Sequence, residues 1–173
     1  MSRWHPPRPS SAPYITPEGA ARLERELRGL WDRRAGVTAA LTAAAAEGDR
    51  SENAEYIYRK KELREIDRRI GYLQRRIPAL QVVRDIHTRD RVHFGAWVSL
   101  ETGGGDQQEV RIVGADEIDH DPAYISVDSP LARVLLGKNV DAEVTLRLES
   151  RSVGYCVTAI RYTLAGLDAA GES

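Results

Sequence analysis

Apolar residues recur at alternating spacings of three and four in two long stretches of the chain. Ala20, Leu23, Leu27, Leu30, Val37, Leu41 and Ala44 form the first series, with Arg34 taking one position in it. Leu63, Ile66, Ile70, Leu73, Ile77 and Leu80 form the second. A mean spacing of about 3.5 residues is the seam of a coiled coil. Between the two series lies EGDRSEN, a turn-like stretch that contains Gly48. A short connection between two long helices forces them antiparallel. Residues 14–85 therefore predict a helical hairpin, each arm of about 30 residues reaching roughly 45 Å. Thr16-Pro17-Glu18 reads as its start: Thr16 as N-cap, Pro17 at the first helical position and an acid in the first turn. Pro78 is expected to kink or end the second arm. Gly29, Gly36 and Gly71 are expected to weaken the helices locally.

After His87 the period changes to two. VHFGAWVSLE reads as a strand, TGGGD as a turn and QEVRIVG as the hairpin partner. YISVD, AEVTLRLE and GYCVTAIRY add three more strands. Between them SPLARVLLG predicts a short helix, capped by Ser129, started by Pro130 and stopped by Gly137. Residues 88–165 thus predict an antiparallel sheet with one helix, so the chain as a whole belongs to the α+β class. Residues 1–13, with four prolines and little apolar content, read as a disordered tail, and 166–173 as a second tail.

Composition removes several function classes. The chain has 173 residues and a net charge near zero, at −1, so global charge selects no partner and local concentration decides. The one cysteine, Cys156, excludes an internal disulfide and a secreted disulfide scaffold; a reducing cytoplasm is the expected setting. Cys156 lies in the alternating run GYCVTAI and reads as a small buried hydrophobe. No segment approaches the roughly 20 apolar residues of a membrane span, and no signal peptide is visible. His5, His87, His93 and His120 show no metal-ligand spacing.

Charge is concentrated in two places. At the turn, Glu47, Asp49, Glu52 and Glu55 crowd within residues 47–55, against only Arg50. Asp49-Arg50-Ser51-Glu52 has the form of a capping box, and acids suit the positive end of the second helix. The other reading is that Asp49 and Glu52 are hard oxygen ligands for Mg²⁺. Two carboxylates cannot complete its six-oxygen shell, so this reading requires a partner that brings its own metal site. Behind the turn, RKKELREIDRRIGYLQRR (59–76) carries eight basic and three acidic residues. Lys60, Arg64 and Arg68 lie four apart on one face. Such a stripe suits nucleic-acid phosphates; the alternative is a solvated face with pairs such as Lys61 with Glu65.

These residues resemble a known family, the Gre transcript-cleavage factors, and more closely its GreB branch. GDRSENAEY is similar to the family's tip motif, and KKELREIDRR to the GreB-like basic helix. FGAWV, RIVGADEID and YISVDSPLARVLLGK are similar to its C-terminal domain. The resemblance implies a coiled coil that enters the secondary channel of bacterial RNA polymerase, acting as a monomer on the nascent RNA 3′ end. It implies that Asp49 and Glu52 help hold a second Mg²⁺, and that Ser51 and Asn53 support the tip. It implies an RNA path along Arg59, Lys60, Lys61, Arg64 and Arg68. It also implies an FKBP-like C-terminal domain that docks through a surface including Asp128, Ser129, Pro130, Leu131 and Leu135. By this account the protein activates hydrolysis by polymerase and is no enzyme alone. The tail before residue 14 and Pro78 depart from the family pattern, and after Lys138 the match reduces to strand pattern.

Other classes compete less well. A channel inhibitor would carry a different tip from the intact GDRSEN, and a zinc-containing channel regulator needs clustered cysteines. A prolyl isomerase or chaperone with a coiled-coil arm is allowed on fold grounds alone. A purely structural coiled coil gives no reason for the acids at the tip.

Overall fold

The computed structural model describes residues 11–46, 54–84 and 88–163. The chain divides into two compact units. One is Ala20–Leu80; the other joins residues 11–19 to the sheet region that follows residue 80.

The first unit is built on α1 (Pro17–Ala46) and α2 (Ala54–Arg76). Their seams are the ones read from the sequence. Val37, Ile66 and Ile70 are buried, with Leu27, Leu30 and Leu63 packed against them. The pairing direction is visible in the ion pairs. Glu26 accepts from Arg69 Nε at 2.6 Å, and Glu62 accepts from Arg33. Moving seven residues forward on α1 moves seven back on α2, so the helices are antiparallel. Arg34, at its seam position, turns its Nε to Asp67 Oδ1 at 2.6 Å. α2 ends at Arg76, and Ile77–Ala79 form a single 3₁₀ turn around Pro78. Pro78 therefore ends the helix, as a residue without an N–H should.

The second unit carries a five-stranded sheet: β3 (Trp97–Thr102), β4 (Gln107–Val113), β5 (Tyr124–Ser126), β6 (Glu143–Arg147) and β7 (Ser152–Arg161), in the order β5-β4-β3-β7-β6. Three of its pairings are antiparallel, but β4 and β5 run parallel, which corrects the all-antiparallel expectation. The turns through residues 114–123 bring the chain back before it re-enters the sheet, so β5 starts at the same end as β4. A bulge in β7 pairs Val157 with Leu100 and Ile160 with Val98, keeping both on the core side despite an odd spacing. α3 (Pro130–Leu135) is built as read: Ser129 Oγ accepts from Ala132 N at 3.2 Å, and Gly137 takes φ 78° just beyond the end. Val98, Leu100, Ile112, Ala132, Leu135 and Val157 form the heart of the core. Cys156 departs from expectation: it is half-buried, in register between Glu101 and Glu143 on the face away from that core.

A second, two-stranded parallel sheet was not foreseen. β1 (Tyr14–Ile15) pairs with β2 (Gln81–Val82), bracketed by Gln81 N donating to Pro13 O and Val83 N to Ile15 O. Ala12 N also donates to Asp128 Oδ2 at 2.9 Å. Residues 12 and 13, assigned to the tail from composition, are thus tied into the unit; residues 1–10 lie outside the described residues.

The start of α1 is fixed by a buried acid. Thr16 Oγ1 accepts from Gly19 N at 3.0 Å, the N-cap bond expected of it. Glu117, 1% exposed, accepts from the Thr16 hydroxyl, from Thr16 N at 3.1 Å and from Gly114 N at 2.9 Å. A side chain on Gly19 would overlap the Glu117 carboxyl, whereas one on Gly29 meets nothing within 4 Å. The two glycines therefore predict opposite signs. Gly29→Ala should stabilise by about 0.5–1 kcal/mol through helix propensity. Gly19→Ala should destabilise by about 1–3 kcal/mol, because overpacking outweighs propensity. Thermal melts of the two variants check this, and equal shifts would contradict the packing.

Candidate functional site

Residues 47–53 connect α1 to α2. The predicted metal pair Asp49 and Glu52, their supports Ser51 and Asn53, and Glu47 all fall there, outside the described residues. The site that the structure does describe begins at Ala54 and runs along α2.

Two populations of charge occupy this helix. The first flanks the seam and is paired. Arg59 donates from Nε to Glu55 at 2.7 Å and from Nη1 to Glu62 at 3.1 Å, while Glu62 also accepts from Arg33 across the hairpin. These pairs raise Arg59 above the usual guanidinium range, with Glu55 the main cause. The hydrogen bond from Arg33, seconded by Arg59, holds Glu62 below the usual carboxylate range. Arg59 is thus held in an ion-pair network, which sets it apart from the other residues assigned to the RNA path.

The second population lies on the face opposite the seam. At 3.6 residues per turn, Lys61, Arg64, Arg68 and Arg75 fall in one row pointing away from Leu63, Ile66, Ile70 and Leu73. Lys61, Arg64, Arg68 and Arg75 are all exposed, and among the described residues none forms an ion pair. The pair of Lys61 with Glu65, offered by the solvated-face alternative, does not form among the described residues. Lys60 is exposed beside the row, its Nζ 5.8 Å from the Tyr56 ring centre. Ile57 and Tyr58, 54% and 59% exposed, stand at its distal end. Arg75 was not singled out from the sequence, although its spacing of seven from Arg68 was there to be read.

In the sheet unit the predicted docking residues divide. Pro130 is exposed, Ser129 is occupied as the cap of α3, and Asp128 receives Ala12 N. Leu131 packs partly against the core. Leu135 is fully buried and is a core residue; its place in a docking surface is withdrawn, because no partner can reach it in this fold. Among the described residues, no group of three or more His, Cys, Asp or Glu side chains is arranged to hold a metal ion.

Residues 13–82 match the family described as "Transcription elongation factor, N-terminal", and residues 87–162 the one described as "Transcription elongation factor, GreA/GreB, C-term". The chain is 54% identical over 164 residues to "Transcription elongation factor GreB" of Pseudomonas aeruginosa, covering 94% of this chain and 98% of that one. It is 54% identical over 165 residues to the protein of the same name from Xanthomonas axonopodis, again covering 94% and 98%. Among solved structures, GreA factor homolog 1 of Thermus thermophilus aligns with a TM-score of 0.40 at 24% identity, covering 86% of this chain and 97% of that one. The chain belongs to the GreA/GreB family of transcription elongation factors, on its GreB side.

The Glu62 network yields a pH prediction. A carboxylate whose folded pKa is depressed adds stability above its unfolded pKa, and that stability is lost as pH falls through the folded value. Glu62→Gln should lower thermal stability near neutral pH by no more than about 1 kcal/mol, the range of surface ion pairs. The difference from wild type should shrink to nothing in acid. A difference that persisted there would point to packing as its cause.

Proposed function

We propose that this protein reaches into bacterial RNA polymerase through its secondary channel and stimulates the polymerase's own hydrolysis of backtracked RNA. The observation that carries the proposal is the position of GDRSEN. It lies in the connection of an antiparallel hairpin, next to a row of exposed, unpaired cations on α2.

Asp49 and Glu52 are the residues that would hold a second Mg²⁺. Their donor chemistry fits: carboxylate oxygens are hard ligands of the kind Mg²⁺ takes, and two of them leave most of its six positions to another source. The polymerase and the RNA are that source, so the factor has no activity alone. The chemistry such an ion supplies is a lowered pKa for water and stabilised charge on attacking and leaving oxygens. The chain's own contribution is to deliver and orient. Ser51 and Asn53 belong to the same motif and would support the two acids. Lys60, Lys61, Arg64 and Arg68 attract the phosphates of the extruded 3′ segment, and no internal partner has to be displaced to free Lys61, Arg64 or Arg68. Arg59 serves this path less directly, since it stays engaged with Glu55 and Glu62. This reading has the factor act as a monomer in the cytoplasm, where the polymerase works.

Cleavage in a stalled elongation complex tests the tip. Asp49→Asn keeps an equally good N-cap, and Glu52→Gln keeps a capping-box residue. Both should fold and compete with wild type for polymerase. Stimulated cleavage should fall by roughly 10²-fold or more, about 2.7 kcal/mol of transition-state stabilisation. Cleavage near the wild-type rate in both would refute the metal role.

The cation row has its own test. Arg64→Ala with Arg68→Ala should reduce cleavage, most on long backtracks. The double variant should also respond less steeply to salt, because fewer phosphate contacts release fewer counterions. An unchanged salt slope would count against RNA on this face.

A further inference from the structure

Trp31 has no structural reason to be where it is. It sits in the middle of α1, 45% exposed, at a helical position that a better helix former would fill without leaving an apolar ring in water. No hydrogen bond engages its indole N–H among the described residues. Its surroundings are cationic. Arg34, one turn on, sets its guanidinium 5.8 Å from the ring centre. Arg28, one turn back, is exposed and forms no ion pair among the described residues. Across the hairpin, Arg34 pairs with Asp67, and Arg64 lies one turn along α2 from that aspartate. An exposed indole bracketed by guanidinium groups, on the flank leading to the unpaired row of α2, is the composition of a single-strand binding surface. Cations there track the phosphates and an aromatic face takes a base.

We propose that Trp31 is a base-stacking subsite for single-stranded RNA, contributed by the helix opposite the cation row. This rests on the reading of α2 as an RNA path and extends that path onto α1. Arg28 and Arg64 hold phosphates on either side of the stacked base. Arg34, fixed by Asp67, orients the indole and holds it in place for the incoming ring.

The test is binding of a fluorescently labelled short oligoadenylate to the full chain at low salt, read by anisotropy. Inorganic polyphosphate, which has charge but no bases, serves as the control ligand. Trp31→Leu should weaken oligoadenylate binding by roughly 5- to 100-fold, the range of one lost base stack. Trp31→Tyr should keep most of the affinity, and polyphosphate should bind all three proteins alike. Circular dichroism on each variant confirms that the helices persist. Unchanged oligoadenylate binding by Trp31→Leu, or equal loss for both ligands, overturns the proposal. So does lost affinity for polymerase with oligoadenylate binding intact, which would make Trp31 a contact to protein. Binding is read here without cleavage, so a failure of the Asp49 and Glu52 mechanism shows in the cleavage assay and leaves this result to stand or fall separately.

Discussion

The register of the hairpin is the constraint on which the rest depends, because it decides which residues the connection carries beyond the last packed turn. Apolar seams alone fix it weakly: a slip of one heptad still buries leucine against isoleucine. The charges remove that freedom. In the observed register Glu26 meets Arg69, Arg33 meets Glu62 and Arg34 meets Asp67. Slide α2 by seven residues one way and Arg33 faces Arg69. Slide it the other way and Glu26 faces Glu62 while Arg34 faces Lys60. The first slip keeps one attraction, Glu26 with Arg76, and the second keeps one, Arg33 with Glu55, so each slip has fewer attractive pairs than the observed register. Arg34 matters most, since a cation in a seam specifies register at some cost in stability. These pairs add little stability each, but together they favour the observed register over the slips.

The same division of labour explains the two kinds of charge on α2. Glu55, Arg59, Glu62, Asp67 and Arg69 lie where they can reach the seam or the facing helix, and they are satisfied there. Lys61, Arg64, Arg68 and Arg75 lie on the face away from the partner helix, and among the described residues they form no ion pair. A solvated helix face built only for solubility would intersperse acids at spacings of three and four, and Glu65 is near enough to do so for Lys61. Leaving the row unneutralised raises self-repulsion along the helix. Solvent and salt screen that repulsion at an exposed face, and an anionic ligand would relieve it further.

Much of this was legible in the sequence, and the failures have physical reasons. The long seams, the strand alternation and the two caps at Thr16 and Ser129 are repeated or local signals. β1 and β2 have two residues each, too short to show a period, and their pairing depends on chain brought together from far apart. The parallel β4–β5 pair is set by the path of residues 114–123, which alternation does not record. Leu135 was misassigned because a family motif marks a segment, and inside that segment α3 turns one face to the core. Arg59 looked like its basic neighbours because composition cannot say which cation already has a partner. Trp31 falls outside the apolar seam, which passes through Leu30 and Arg34, but its exposure and its place beside Arg34 needed the structure. The tip acids were legible as a motif, and the capping and metal readings of Asp49 and Glu52 are separated by cleavage chemistry.

Glu117 shows why the two family-matched stretches do not divide the chain cleanly. Thr16 falls in the N-terminal match and Glu117 in the C-terminal one, 101 residues apart in sequence, yet they form one buried cluster. The N-cap that starts α1 is therefore held by an acid from the other stretch. A buried carboxylate is tolerable only with its oxygens satisfied, and here two backbone N–H groups and a hydroxyl satisfy them. Remove residues 87–162 and Thr16 could still cap Gly19, but its own N–H and hydroxyl would lose their acceptor, and Ile15 would lose the environment that keeps it fully buried. The sheet region thus supplies the fixed end from which α1 grows.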